Sequence, residues 1–191
     1  LTGKVSPCGH LTDTIAYNIE DYPSTPYFGD DNLNFYEEDI YVGYRYFETI
    51  AKDKVMYPFG FGMSYTTFNT SAVMSIVDDR TIRVDAKVTN TGDFAGKEVV
   101  QVYYEAPQGA LAKPARNLIG FAKTDTLFPK IDQSLAIEFT FDQMASFDDS
   151  GCTGHKDAYV LEAGEYIIYA GSDVIESLTS GVANGGSFTS T

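Results

Sequence analysis

Thr81-Ile82-Arg83-Val84-Asp85-Ala86-Lys87-Val88 alternates apolar and polar residues, with Ile82, Val84, Ala86 and Val88 on one face and Arg83, Asp85 and Lys87 on the other. A period of two is that of a strand packed on one side and wet on the other. The pattern repeats outward in both directions. Upstream, Ser71 to Val77 alternates and Asp78-Asp79 turns the chain. Downstream, Asn90-Thr91-Gly92-Asp93 turns it into a strand over Lys97 to Glu105, centred on Val99-Val100-Gln101-Val102-Tyr103-Tyr104. Further strands are expected near Asn117–Thr124, Ser134–Phe141, Tyr166–Gly171 and Ser177–Val182, separated by Pro107, Pro114, Pro129, Gly151, Gly164 and Gly171. About seven short strands with no helical period between them predict a mainly β fold, a two-sheet antiparallel sandwich. Residues 143–158 have the length and polarity of an exposed insertion loop. Gly185 to Thr191 reads as either an edge strand or a frayed tail.

Before the strands lies a stretch of another kind, Tyr36 to Phe68. Tyr36, Tyr41, Tyr44, Tyr46, Phe47, Tyr57, Phe59, Phe61, Tyr65 and Phe68 are ten of the chain's 14 Tyr and 13 Phe. Pro58-Phe59-Gly60-Phe61-Gly62 alternates rings with residues that fix φ or permit φ > 0, so rings can pack around a backbone bent back on itself. Such a stretch reads as a rigid packed junction between two structural units, whereas a loose linker is polar and poor in aromatics. Earlier still, Leu11 to Ala16 reads as one strand, and Pro23 and Pro26 forbid regular structure after it. The first 35 residues carry no pattern able to build a core and must lean on something else.

The chain has 191 residues and opens on Leu1, which suggests an internal piece of something longer. Thirteen basic against 27 acidic residues give a net charge of −14, spread over both parts. That balance opposes nucleic acid and anionic membrane surfaces, whose binding rests on Lys and Arg, and leaves a neutral ligand such as a sugar unaffected. There is no run of 18 apolar residues, hence no expected membrane span. Cys8 and Cys152 belong to no CxxC or Cys/His cluster, so neither a metal site nor a cofactor is expected and reduced thiols are favoured. His10 and His155, each in a Gly-flanked loop, read as loop surface.

Four segments carry a resemblance. Tyr36-Glu37-Glu38-Asp39-Ile40-Tyr41-Val42-Gly43-Tyr44-Arg45-Tyr46 resembles the Y-x-E-G-I-x-V-G-Y-R-Y segment of glycoside hydrolase family 3, the β-glucosidase and β-xylosidase family. Pro58 to Phe68, PFGFGMSYTTF, is similar to its P-F-G-Y-G-L-S-Y-T-x-F segment. Val88-Thr89-Asn90-Thr91-Gly92 with Gly96 to Tyr103, and Leu118 to Thr124, echo the family in the same order and spacing. Asp39 stands where the family has Gly, and Met63 where it has Leu.

The resemblance implies that residues 1–68 close an α/β sandwich domain, its aromatic junction included, and that residues 69–191 form an immunoglobulin/fibronectin type III-like sandwich. Tyr36, Arg45, Pro58, Phe59, Gly60, Phe61, Gly62, Tyr65 and Phe68 are the expected structural residues of the junction. The family's chemistry is retaining hydrolysis of β-glycosides by two carboxyl groups about 5–5.5 Å apart. Its nucleophile is an Asp in a Ser-Asp-Trp context on a TIM-like barrel, and this chain has no Trp. Its acid/base Glu lies upstream of the segments present. No catalytic residue maps here, so the chain alone is expected to be inactive.

Glu37, Glu38 and Asp39 are adjacent acids that on an extended segment point to alternate sides. Glu38, which matches the family's Glu, is read as an anchor to backbone or Arg45 and as the one candidate for touching substrate. Tyr36, Tyr41, Tyr44 and Tyr46 are read as packing residues before sugar platforms. The expected partners are the parent glycosidase's TIM-like barrel and α/β domain, a β-linked glucoside or oligosaccharide reached through the parent, and a second copy in a homodimer. The alternative is an independent carbohydrate-binding or adhesive sandwich. A bare apolar patch around residues 1–68 favours the first, and an exposed row of aromatics on one sheet face favours the second.

Overall fold

The computed structural model describes residues 3–29, 31–185 and 188–190. Before residue 68 regular structure is sparse: β1 (Ile15–Ala16), α1 (Tyr44–Thr49) and β2 (Val55–Tyr57), with single 3-10 turns between them. β1 and β2 pair antiparallel, Ile15 opposite Tyr57 and Ala16 opposite Val55. The strand expected over Leu11–Ala16 is therefore interrupted. Leu11 pairs with the same return segment, donating to Phe61 O at 2.8 Å and accepting from Gly60 N at 2.9 Å. Thr12 and Asp13 leave the ladder, because the Asp13 carboxylate takes the Thr14 N–H at 2.8 Å and offers the backbone a local partner. Ala16, Phe47 and Ala51 form a small core of their own, flanked by Tyr22, Tyr46 and Val55.

From Phe68 the chain forms β3 (Phe68–Ile76), β4 (Thr81–Asn90), β5 (Val99–Glu105), β6 (Asn117–Lys123), β7 (Asp132–Thr140), β8 (Ser146–Asp148), β9 (Ala158–Leu161), β10 (Gly164–Gly171), β11 (Leu178–Gly185) and β12 (Phe188–Ser190). One sheet has the order β3-β4-β7 and the other β11-β10-β5-β6, every pair antiparallel. These seven strands are the seven read from the alternation, and the mainly β sandwich is as expected. Ile82, Val84, Ala86 and Val88 are at most 1% exposed and face Val100, Val102, Tyr166 and Ile168 across the core. Burying a side chain of this size contributes about 1.5–3 kcal/mol.

The insertion-loop reading of residues 143–158 holds for its middle, 149–157, where most residues are exposed, and needs correction at its ends. β8 and β9 pair with each other, and β12 joins β9, in a third sheet. The polar residues between β8 and β9 satisfy one another. Asp148, wholly buried, accepts from Gly151 N at 2.6 Å, Thr153 N at 2.9 Å, Thr153 Oγ1 at 2.6 Å and Ser150 Oγ at 3.0 Å. Those bonds, the Thr153 hydroxyl foremost, hold its carboxyl well below the usual carboxylate range. Composition marked the exposed loop but not the cradle around Asp148 or the two strands that flank it. Of the tail, Phe188–Ser190 is an edge strand, while Gly186, Ser187 and Thr191 lie outside the described residues.

Candidate functional site: the aromatic junction

The junction turns on two glycines used for different reasons. Gly60 has φ +84°, and a Cβ there would lie 2.4 Å from the Gln101 side-chain amide. Gly62 has no such φ, but a Cβ there would lie 2.7 Å from the His10 ring. Each glycine is the seat of a polar side chain. Gln101, on β5 and 4% exposed, donates to Gly60 O at 3.3 Å and Ser172 O at 2.6 Å and accepts from Tyr103 Oη at 2.5 Å. Burial pushes the Tyr103 hydroxyl far above the ordinary tyrosine range, so it stays a donor.

The rings complete the contact. Phe59 lies 4.5 Å from the Tyr44 ring at 34°, and Tyr44 stands edge-on to Tyr103 at 6.1 Å. The Phe59 carbonyl accepts Val174 N–H at 3.2 Å. Tyr44 Oη accepts Leu118 N–H at 2.8 Å, beside the shift in β5–β6 register between Val102 and Tyr103. One turn further along α1, Thr49 Oγ1 accepts Ala115 N–H at 2.9 Å. The loop that carries Ala115 is fixed from its other side, where buried Lys113 pairs with Glu162 and Glu162 takes the N–H groups of Ala110 and Leu111. Glu48, beside Thr49 and 5% exposed, has its carboxyl raised by burial, partly offset by Lys52 at 3.6 Å.

His10 is not the loop-surface residue expected. Its Nδ1 lies 2.5 Å from Gly60 O and its Nε2 3.1 Å from Glu98 Oε1, with the side chain 13% exposed. The bond to Glu98 is the main cause that raises its pKa, against burial and Lys123, which lower it. Lys123 Nζ donates to Cys8 O at 2.6 Å beside Cys8 Sγ at 3.3 Å. The ring can reach this position because Gly62 leaves room for it. His155 is exposed, as read, and both cysteines are free.

The expected junction residues divide. Pro58, Phe59, Gly60, Phe61, Gly62 and Phe68 are buried or half-buried. Tyr65, 43% exposed, contributes its N–H to Ser6 Oγ at 3.0 Å. Arg45 is half-buried on α1. Tyr36 stands away, 92% exposed, on a surface segment turned at Asp39, whose φ is +49°. Asp39 itself takes the left-handed conformation there, with Tyr41 N–H on Glu38 O at 2.8 Å. Glu38 is half-buried beside an open groove of about 430 Å³ that it shares with Tyr27, Phe28, Phe35 and Tyr36. Among the described residues it makes no ion pair with Arg45, and its neighbour Glu37 bonds Tyr27 and raises that hydroxyl's pKa.

Sequence reasoning did not single out Asn90, which it read as part of a turn and of one segment of the family resemblance. Wholly buried, Asn90 donates to Phe94 O and Leu127 O, both at 2.8 Å, and accepts from Thr66 Oγ1 at 2.7 Å and Gly92 N at 3.1 Å. It ties the end of the aromatic stretch to the sandwich, and its place in Thr-Asn-Thr-Gly was the available signal. Among the described residues, no three His, Cys, Asp or Glu side chains are grouped to hold a metal, and no helix is long and apolar enough to cross a membrane. The arrangement attaches the segment before residue 68 to the sandwich through side chains from both.

Residues 98–174 match the fibronectin type III-like domain family. The chain is 58% identical over 174 residues to a β-glucosidase of Ruminococcus albus, an alignment covering 91% of this chain and 18% of that protein. It is 50% identical to β-glucosidase A of Butyrivibrio fibrisolvens, covering 91% of this chain and 23% of that one. Among solved structures it superposes on a β-glucosidase from Paenibacillus barengoltzii with a TM-score of 0.90 at 52% identity, over 93% of this chain and 20% of that one. On β-glucosidase 3B from Thermotoga neapolitana the TM-score is 0.88 at 38% identity, over 99% and 26%. The chain thus spans about a fifth to a quarter of the length of these relatives.

Proposed function

Because this chain belongs to glycoside hydrolase family 3, as the C-terminal portion of its β-glucosidases, we propose that it is the non-catalytic end of a retaining β-glycosidase acting in carbohydrate breakdown. In this reading residues 1–68 complete the α/β domain of the longer protein and residues 69–191 are the sandwich that braces it. The partners are the barrel and the rest of the α/β domain, the substrate a β-linked glucoside or oligosaccharide that reaches the parent's carboxyl groups, and a second copy of the parent could be contacted through the sandwich.

The observation that carries the reading is where apolar surface is left bare. Fifteen of the twenty-five exposed large apolar side chains among the described residues fall before residue 69, including Phe28 at 89% and Tyr36 at 92%. Surface of that kind calls for a cover, and the relatives are longer by several times the length of this chain. The alternative of a sugar-binding sandwich receives less support. Phe147 and Tyr159 pair on β8 and β9 at 5.2 Å, but at 63° they present no shared flat face to a sugar ring.

The test is hydrolysis of an aryl β-glucoside. The chain alone should give no turnover above background, and joining it to the remaining four-fifths of a relative such as the Ruminococcus albus protein should give an active enzyme. Enzyme-like rates from the chain alone refute the reading.

A further inference from the structure

His10 sits where two parts of the molecule meet, and both of its ring nitrogens face oxygen atoms. The Gly60 carbonyl, at 2.5 Å from Nδ1, can only accept. The Glu98 carboxylate, at 3.1 Å from Nε2, is likewise an acceptor when ionised. A neutral imidazole has a single N–H, so it satisfies one of these oxygens and turns a lone pair toward the other; the imidazolium satisfies both.

Neither oxygen is free to swing away. Gly60 is buried, with its N–H on Leu11 O and its own carbonyl shared with Gln101. Glu98 Oε1 also accepts Val99 N–H at 2.8 Å, and the Glu98 backbone is bonded on both sides to Thr124. The ring itself is seated against Gly62, whose missing side chain is the space it fills.

We propose that His10 is a pH-sensitive latch between the segment before residue 68 and the sandwich, closed as the imidazolium and loosened when it loses its proton. The charged groups around it are few. On its own segment, Cys8 lies two residues away. From the start of β5 comes Glu98, which favours the charge. From the end of β6 comes Lys123, held on the Cys8 carbonyl, which opposes it. Glu176 lies across a small polar groove from Glu98 and adds negative charge on that side. From the 58–62 turn only backbone and Gly62 face the ring. The balance is one carboxylate in direct contact against one ammonium held on Cys8, which favours the charged form.

The sign follows from linkage. A histidine whose pKa is raised by folding contributes stability that is complete below the ordinary histidine range and is lost as pH rises through its folded value. Attachment of the two parts should therefore hold below the ordinary histidine range and weaken as pH rises above it.

The experiment is a ¹H–¹⁵N imidazole NMR titration of the chain, which has only two histidines, His10 and the exposed His155. It is paired with thermal unfolding across the same pH range for wild type, His10→Gln and Glu98→Gln. The latch predicts that His10 carries both ring protons on the acidic side and titrates above the ordinary histidine value. It also predicts a wild-type melting temperature that falls through that titration, a His10→Gln curve without the fall, and a His10 midpoint moved down toward the ordinary histidine value in Glu98→Gln. A His10 that titrates at the ordinary histidine value, or parallel melting curves for wild type and His10→Gln, overturns it. Should either variant fail to fold, the wild-type titration alone decides. Because the latch lies wholly within this chain, its failure leaves the proposed place of the chain in a longer glycosidase untouched.

Discussion

Gly60 is the position where one atom matters most. Its φ of +84° costs an L-residue about 1–2 kcal/mol, and the 2.4 Å approach of Gln101 adds an overpacking cost of about 1–3 kcal/mol. Gly60→Ala should therefore destabilise the protein by about 2–5 kcal/mol, read from the urea midpoint with the slope unchanged. Gly62→Ala, with ordinary φ, should act only through displacement of His10. That the two glycines permit a bent, ring-packed backbone was legible from Pro58-Phe59-Gly60-Phe61-Gly62. What each glycine faces was not, because Gln101 and His10 come from distant stretches and carry no local sign of it. Asp39 was legible as a departure from the usual Gly, and it takes the left-handed conformation as an acid that tolerates it.

Among the elements, β4 was the most legible, since its period of two has a single structural solution. Ile82 on its inner face is wholly buried, and Val73 on neighbouring β3 is 68% exposed. Ile82→Ala should cost about 2–5 kcal/mol, while Val73→Ala should stay within about 0.5 kcal/mol, both measured by chemical denaturation. A comparable loss at both positions would mean that the outer face of β3 is also covered. β8, β9 and α1 escaped the reading for a shared reason. Three-, four- and six-residue elements are too short to show a period, and polarity around Asp148 and the rings around Tyr44 were explained by other features. Their positions are set by partners: β9 by β12 and β8, α1 by Leu118, Ala115 and Phe59.

For the molecule as a whole, the sandwich was readable and the apolar side of the first 68 residues was only half readable. Aromatic density announced packing, but no pattern said which rings pack inside this chain, as Tyr44 and Phe59 do, and which stand out from it, as Phe28 and Tyr36 do. The chain alone should bind a hydrophobic dye such as ANS. The double change Phe28→Ser with Tyr36→Ser should lower that fluorescence while shifting stability by no more than about 0.5 kcal/mol, since neither ring is buried. Unchanged fluorescence would place the dye elsewhere, for example in the open groove lined by Leu11, Ile15, Tyr57, Phe61 and Met63.

The order of strands in the larger sheet also bears on how the chain is made. β5 lies between β6 and β10, yet 58 residues separate its last residue, Glu105, from the first of β10, Gly164. At ribosomal speeds of about 5–20 residues per second, one edge of that valine-rich strand waits roughly 3–12 s for its neighbour to be synthesised. During translation it is an open template for strands of other nascent chains, and a slow stretch of codons before β10 would lengthen the hazard.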